Sequence, residues 1–141
     1  MEENNLSIVE NFYGENLTSI WIDFNTDILS GNDTIISNEI SFLFNDSGFT
    51  VKPIFESDEI QISLVEDLKL IKGTESKNIL SNKFQSLDFC WQGINSRGYF
   101  DVLLLSFDYL IPSIAIVSQM GVLELYEITP FNKTPNIQSS M

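Results

Sequence analysis

A chain of 141 residues with 20 Asp and Glu, 7 Lys and Arg and no His carries a formal net charge of -13. Nucleic-acid phosphates require a patch of Lys and Arg, and residues 1–51 contain neither, so a direct role on nucleic acid is disfavoured. With no imidazole, a single Cys and no glycine-rich phosphate loop, neither a nucleophilic triad nor a zinc-type ligand set can be composed, and the reading carries no cofactor and no metal.

The hydrophobic share of 43% and the 11 Phe separate this chain from acidic disordered sequences, which lack the large side chains that offset ordering entropy. One domain over 1–129 is expected, followed by a flexible tail at 130–141. The first five residues lack the basic flank and apolar run of a secretory signal. The apolar stretches at 102–105 and 109–112 fall far short of the ~20 residues that cross a bilayer, so a cytoplasmic protein is expected.

Leu6, Val9, Phe12 and Tyr13 share one face of a short helix, with Asn5 as N-cap and Gly14 as its stop. Ile20, Ile22 and Phe24 then alternate with Trp21 and Asp23, which predicts a strand over 17–24 before a polar loop at 25–34. Ile40, Phe42 and Phe44 line one face of the next strand. The turn at 45–48 contains Gly48, suited to positive φ, and Phe49, Val51 and Phe55 mark the return. Pro53 cannot donate to a ladder, so this return strand is predicted to be an edge or to carry a bulge. Beyond the acidic turn Glu56-Ser57-Asp58-Glu59, Ile60, Ile62 and Leu64 complete a meander over 39–64.

The stretch 65–86 reads as a loop with one helical turn. Leu87, Phe89 and Trp91 alternate with Asp88, Cys90 and Gln92, the turn Asn95-Ser96-Arg97-Gly98 follows, and 99–107 returns as a second hairpin. Ile114, Ile116 and Val117 form a further strand, turned at Met120-Gly121 into a last one at 122–128. The sum is an α+β chain, predominantly antiparallel β, with about eight strands in hairpins and meanders and one short N-terminal helix. The rings of Phe42, Phe44, Phe89 and Trp91 read as core rather than as a ligand cavity, and Cys90 as a small buried thiol.

Charge is unevenly placed. Nine acids and no base occupy residues 1–51, six of the seven bases lie between Lys52 and Arg97, and residues 98–132 again have no base. The acidic turns serve solubility and edge protection in one reading and form a cation-binding surface in the other. Glu56, Asp58, Glu59, Glu66 and Asp67 are the candidate partner-binding residues, since they cluster around a strand whose apolar face must point inward. Trp21, out of phase with Ile20 and Ile22, is the candidate aromatic anchor. Neither the acidic turn nor Asn25, Asp27, Asn32 and Asp33 has the spacing of a calcium loop, and Asp88, Asp101 and Asp108 provide only a chance carboxylate pair.

Two stretches carry a resemblance. Gly48-Phe49-Thr50-Val51 running into Glu56-Ser57-Asp58-Glu59-Ile60, and Trp91-Gln92-Gly93-Ile94-Asn95-Ser96-Arg97-Gly98-Tyr99-Phe100-Asp101, look like a family of small uncharacterised bacterial β-rich proteins. Such proteins are similar in size and acidity to immunity proteins of bacterial toxin systems, including contact-dependent inhibition. The resemblance brings no catalytic residue, and Asp101 reads as a residue that bonds its turn. It implies a non-enzymatic, monomeric or weakly dimeric protein that neutralises a cationic toxin, a nuclease being the leading case. The rival reading is a structural or assembly subunit of a bacterial or phage complex, whose strands complete a sheet with a neighbour.

Overall fold

The computed structural model describes residues 5–24, 35–76, 86–107 and 111–128. A six-residue helix, α1 (Asn5–Glu10), precedes β1 (Ser19–Phe24), β2 (Ile35–Phe44), β3 (Ser47–Pro53) and β4 (Ile60–Leu64). After a 3-10 turn at Leu68–Leu70 come β5 (Thr74–Ser76), β6 (Phe89–Ile94), β7 (Phe100–Ser106), β8 (Ile114–Gln119) and β9 (Val122–Glu127). The nine strands of the described residues belong to one antiparallel sheet ordered β4-β3-β2-β9-β8-β7-β6, with β1 also on β2 and β5 on β1. Where the sequence predicts about eight strands, the further one is β5, three residues inside the stretch read as loop.

The organising element is β2, ten residues and ~33 Å long. One edge takes β1 along positions 37–43. The other takes β3 along 40–44 and then β9 along 35–37, so β3 and β9 lie end to end on the same edge, with Asn38 and Glu39 at the fork. From the fork the sheet diverges into two wings that curl around a single core: β3-β4, with β2, β1 and β5 beside it, and β9-β8-β7-β6. Ile20, Ile22, Ile40, Phe42, Phe49 and Val51 from one side meet Leu103, Leu105, Ile114, Ile116, Leu123 and Leu125 from the other.

The N-terminal segment closes the gap between the wings. Phe12 stacks on Phe44 at 4.9 Å between centroids and reaches Phe49 at 5.8 Å, while its neighbour Tyr13 stacks on Phe89 of β6 at 5.8 Å. The Tyr13 hydroxyl accepts the Cys90 amide at 3.0 Å and lies 3.3 Å from the thiol. Desolvation raises the pKa of Cys90, outweighing the lowering by the Tyr13 hydroxyl, and desolvation raises that of Tyr13 as well. The buried thiol expected from the sequence is therefore what the fold contains.

Four local expectations are corrected by tertiary contacts. Asn5 acts on β4: its amide donates to the Ile60 carbonyl at 3.2 Å and its oxygen accepts the Ile62 N–H at 3.3 Å, satisfying part of an exposed sheet edge. Gly48 does not supply the positive φ of its turn, which falls on Asn45 at 68°. It is required because a Cβ there would collide with the Phe42 carbonyl. Pro53 lies in a strand paired on both sides and without a bulge, but at its last residue, beyond the final β2 partner at Val51. Since the Ile54 N–H points to Glu59, the missing N–H of Pro53 faces the side that β2 has already left. In β6 the phase is inverted: Cys90 faces the core, while Phe89 and Trp91 point outward.

The loop read at 25–34, Asp108 and the tail at 130–141 lie outside the described residues. Among the described residues no helix is long and apolar enough to cross a membrane.

Candidate functional site

The candidate site begins at two tight turns that only the sheet topology brings together. One is the β3–β4 connection, Ile54 to Glu59. The other is the β8–β9 hairpin, whose two-residue turn Met120-Gly121 has φ of 55° and 82°, the pattern of a type I′ turn. Because β3 ends where β9 begins, these turns meet at the fork. Asp58 joins them, its carboxylate accepting the Met120 N–H at 3.1 Å and the Gly121 N–H at 2.9 Å.

Both sides of this junction are conformationally strained. Asp58 has φ of 61° and Met120 of 55°, in the left-handed region where a side chain with Cβ is disfavoured. Asp tolerates the region better than most residues and Met does not, so the charge-assisted pair of hydrogen bonds is what holds Met120 in it. The Phe55 ring lies against Gly121, where a Cβ would approach it to 3.0 Å. The outcome is an apolar knob: Phe55 is 79% and Met120 83% exposed, with the exposed Glu56 beside them.

Glu59 ends the first turn and is half-buried. Its N–H bonds the Ser57 hydroxyl at 3.1 Å, its carbonyl accepts the Ile54 N–H at 2.8 Å, and one carboxylate oxygen receives the Ser57 hydroxyl at 3.3 Å. Glu66 and Asp67, exposed, follow β4 at its opposite end, ~17 Å from the acidic turn. Asp67 caps the 3-10 turn by accepting the Lys69 N–H at 3.0 Å. The five acidic candidates are thus divided between two ends of β4, and Asp58 and Asp67 have structural partners.

Trp21 stands on the outer face of β1, half-buried, with its indole N–H on the Ser19 hydroxyl at 3.2 Å. It is three strands from β4, ~14 Å away. The exposed aromatic side chain beside those turns is Phe55, with Met120. The sequence pattern places Phe55 in a strand and Met120 in a turn. The available signal was Phe55 following Pro53 and Ile54 immediately before a polar acidic run, which puts it past the strand.

Asp88 and Asp101 lie near opposite ends of the β6–β7 hairpin and do not form a carboxylate pair. Asp101 accepts the Asn95 amide at 3.0 Å, and Asn95 in turn accepts the amides of Arg97 and Tyr99 at 2.8 and 3.1 Å, so the Asn-x-x-Gly-Tyr-Phe-Asp stretch is a self-bonded turn. Among the described residues no three Asp, Glu or Cys side chains converge as a metal cage requires.

These features define a small antiparallel β protein whose single curled sheet is closed by an N-terminal helix. The chain matches the model of DUF6334, a family of unknown function, over residues 1–132, and it belongs to that family. No curated protein and no solved structure matches it.

Proposed function

We propose that this protein is a non-catalytic inhibitor that neutralises a cationic protein, in the manner of an immunity protein against a basic bacterial toxin, with a nuclease as the leading target. The observation that carries the reading is the knob at the fork: Phe55 and Met120 stand in solvent beside Glu56, held there by Asp58. An exposed aromatic side chain on a fixed backbone loses little entropy on binding, and carboxylates around it bond Arg and Lys in place of phosphate. The net charge of -13 raises the association rate with a cation, and burial of Phe55 and Met120 slows dissociation.

The test is co-expression of the tagged protein with the product of its neighbouring reading frame, followed by sizing and binding kinetics at low and high salt. A stoichiometric complex with a basic toxic protein is expected, with an on-rate that falls steeply with salt. Glu56→Lys should reduce the on-rate and Phe55→Ala should raise the off-rate. A complex indifferent to salt and to both substitutions would overturn this reading.

A second reading, an assembly subunit, is favoured by one observation. The outer face of β6 to β9 carries Trp91, Leu104, Ala115 and Tyr126 in one cross-strand row, an apolar stripe on the side away from the core. A stable homo-oligomer dispersed by Leu104→Asn would support that reading over an inhibitor.

A further inference from the structure

Below α1 the two wings do not touch completely. A cavity of about 360 Å³ lies in this seam, lined by Asn5, Ile54, Glu59, Gln61 and Phe100. That is at the small end of ligand pockets, the scale of one long side chain rather than of a cofactor. Its residues come from three elements: Asn5 from α1, Gln61 from β4 and Phe100 from β7, with Ile54 and Glu59 from the turn that carries Phe55 and Glu56.

We infer that this seam cavity is a socket for an arginine side chain of the cationic partner, an inference that rests on the inhibitor reading above. The first reason is the carboxylate. Glu59 is fixed at its N–H, its carbonyl and one carboxylate oxygen, and its second carboxylate oxygen has no partner among the described residues. A half-buried carboxylate with an open oxygen favours a cation that arrives with its own donors.

The second reason is the shape of the acceptor set. Asn5 presents a carboxamide oxygen that already accepts the Ile62 N–H and retains a lone pair. Planar guanidinium, with five N–H donors, matches several acceptors at once, whereas a compact ammonium keeps its water more readily. Ile54 and Phe100 supply an apolar wall for the aliphatic stem. Among the described residues no Lys or Arg lines the cavity, and Lys52, the ladder partner of Gln61, is exposed outside it.

The third reason is continuity. Ile54 and Glu59 bracket the knob and are hydrogen-bonded to each other, so a protein surface that covers Phe55 reaches the seam without further movement. Phe55 and Met120 then anchor the partner while the socket reads one basic side chain.

The test titrates the whole ¹⁵N-labelled protein with the blocked tripeptide acetyl-Gly-Arg-Gly-amide, at constant ionic strength, against its Lys and citrulline counterparts and free L-arginine. Saturable shifts at the amides of Glu59, Gln61 and Phe100 are expected with the Arg peptide, smaller ones with Lys and none with citrulline. Weaker shifts with free L-arginine would mark the side chain of a polypeptide as the source. Glu59→Gln, which keeps the Ser57 bond, should weaken the Arg peptide by roughly fivefold. Equal shifts with citrulline, shifts confined to Phe55 and Glu56, or undiminished binding to Glu59→Gln would each overturn the socket. None of these results bears on the captured complex or its salt dependence, so the broader reading stands or falls separately.

Discussion

The two wings of the sheet each bury an apolar inner face and differ most on the outside. Across β5, β1, β2, β3 and β4 one outer row reads Glu75, Trp21, Ser41, Thr50, Ser63, with the Ser41 and Thr50 hydroxyls 2.8 Å apart. The matching row across β6, β7, β8 and β9 reads Trp91, Leu104, Ala115, Tyr126. In the first wing β1 and β4 alternate, as expected of a strand with one wet face, although β2 is buried on both faces over 40–44. The second does not: in β7, Val102 and Leu104 face out while Leu103 and Leu105 face in, both faces being apolar. The inner cores differ too, since one contains a cluster of rings among its aliphatic side chains and the other is filled by aliphatic side chains from β7 and β8. Phe42 and Phe44 lie 5.2 and 6.0 Å from Phe49, while Leu103, Leu105, Ile114 and Ile116 fill the opposite side. An inner face is dictated by the need to exclude water, and an outer face is free to be selected for something else. The apolar outer stripe is therefore the more informative of the two.

The largest expected effect asks whether the wings unfold together. Phe49→Ala in the ring-rich wing should cost about 3–5 kcal/mol and Leu103→Ala in the aliphatic wing about 2–5 kcal/mol. Each wing holds one of the two Trp residues, Trp21 on β1 and Trp91 on β6. Urea unfolding of the single-tryptophan variants Trp21→Phe and Trp91→Phe should give coincident transitions, because β2 is shared and Phe12 and Tyr13 span the gap. Separate midpoints would mean that the fork is a boundary between two cooperative units.

Next in size is the junction itself. Asp58→Ala removes the acceptor of two backbone amides and should cost about 1–3 kcal/mol, with faster hydrogen exchange at Met120 and Gly121. Asp58→Asn keeps one acceptor and the tolerance for positive φ, so it should cost less. Equal losses for the two variants would show that the carboxylate does not hold the hairpin.

Closure by the N-terminal segment is a smaller effect. Tyr13→Phe leaves the Cys90 N–H without its acceptor and should cost about 1–2 kcal/mol. The Cys90 and Tyr13 pKa values are raised in the fold, so the folded state holds these protons more tightly than the unfolded chain. Their contribution is complete below the unfolded pKa values and is lost as pH rises above ~8.5 for the thiol and ~10 for the phenol. Stability should therefore decline in alkali, and Cys90→Ala should flatten the first part of the decline in a pH series of urea midpoints.

The smallest effects distinguish the outer faces. Leu104→Asn on the apolar stripe should change stability by less than ~1 kcal/mol, and Ser41→Ala, which strands the Thr50 hydroxyl, by about 1 kcal/mol. A loss above ~3 kcal/mol for Leu104→Asn would mean that the stripe is covered within the monomer.

Much of this could be read along the chain. Ile40, Phe42 and Phe44 face inward as their spacing requires, the hairpins at 45–46, 95–98 and 120–121 fall at their turn residues, and Cys90 is buried. These features depend on neighbours in sequence, where side-chain period and turn chemistry decide the outcome. The acidic turn at 56–59 was legible as a candidate for the same reason. Its apolar partner was not, because Met120 lies 62 positions from Asp58 and no local pattern records that distance.

By itself, then, the sequence determined an antiparallel, acidic β protein with a short helix and a buried thiol, through alternation, turn residues and charge. Tertiary structure alone decided that β9 takes the edge of β2 that β3 vacates, and that three-residue β5 adds to β1. It also decided that Asn5 satisfies β4 and that Asp58 bonds Met120 and Gly121. Such pairings are chosen by shared burial and by hydrogen bonds between distant strands, and the cost of closing those long loops is met only when the whole core forms at once.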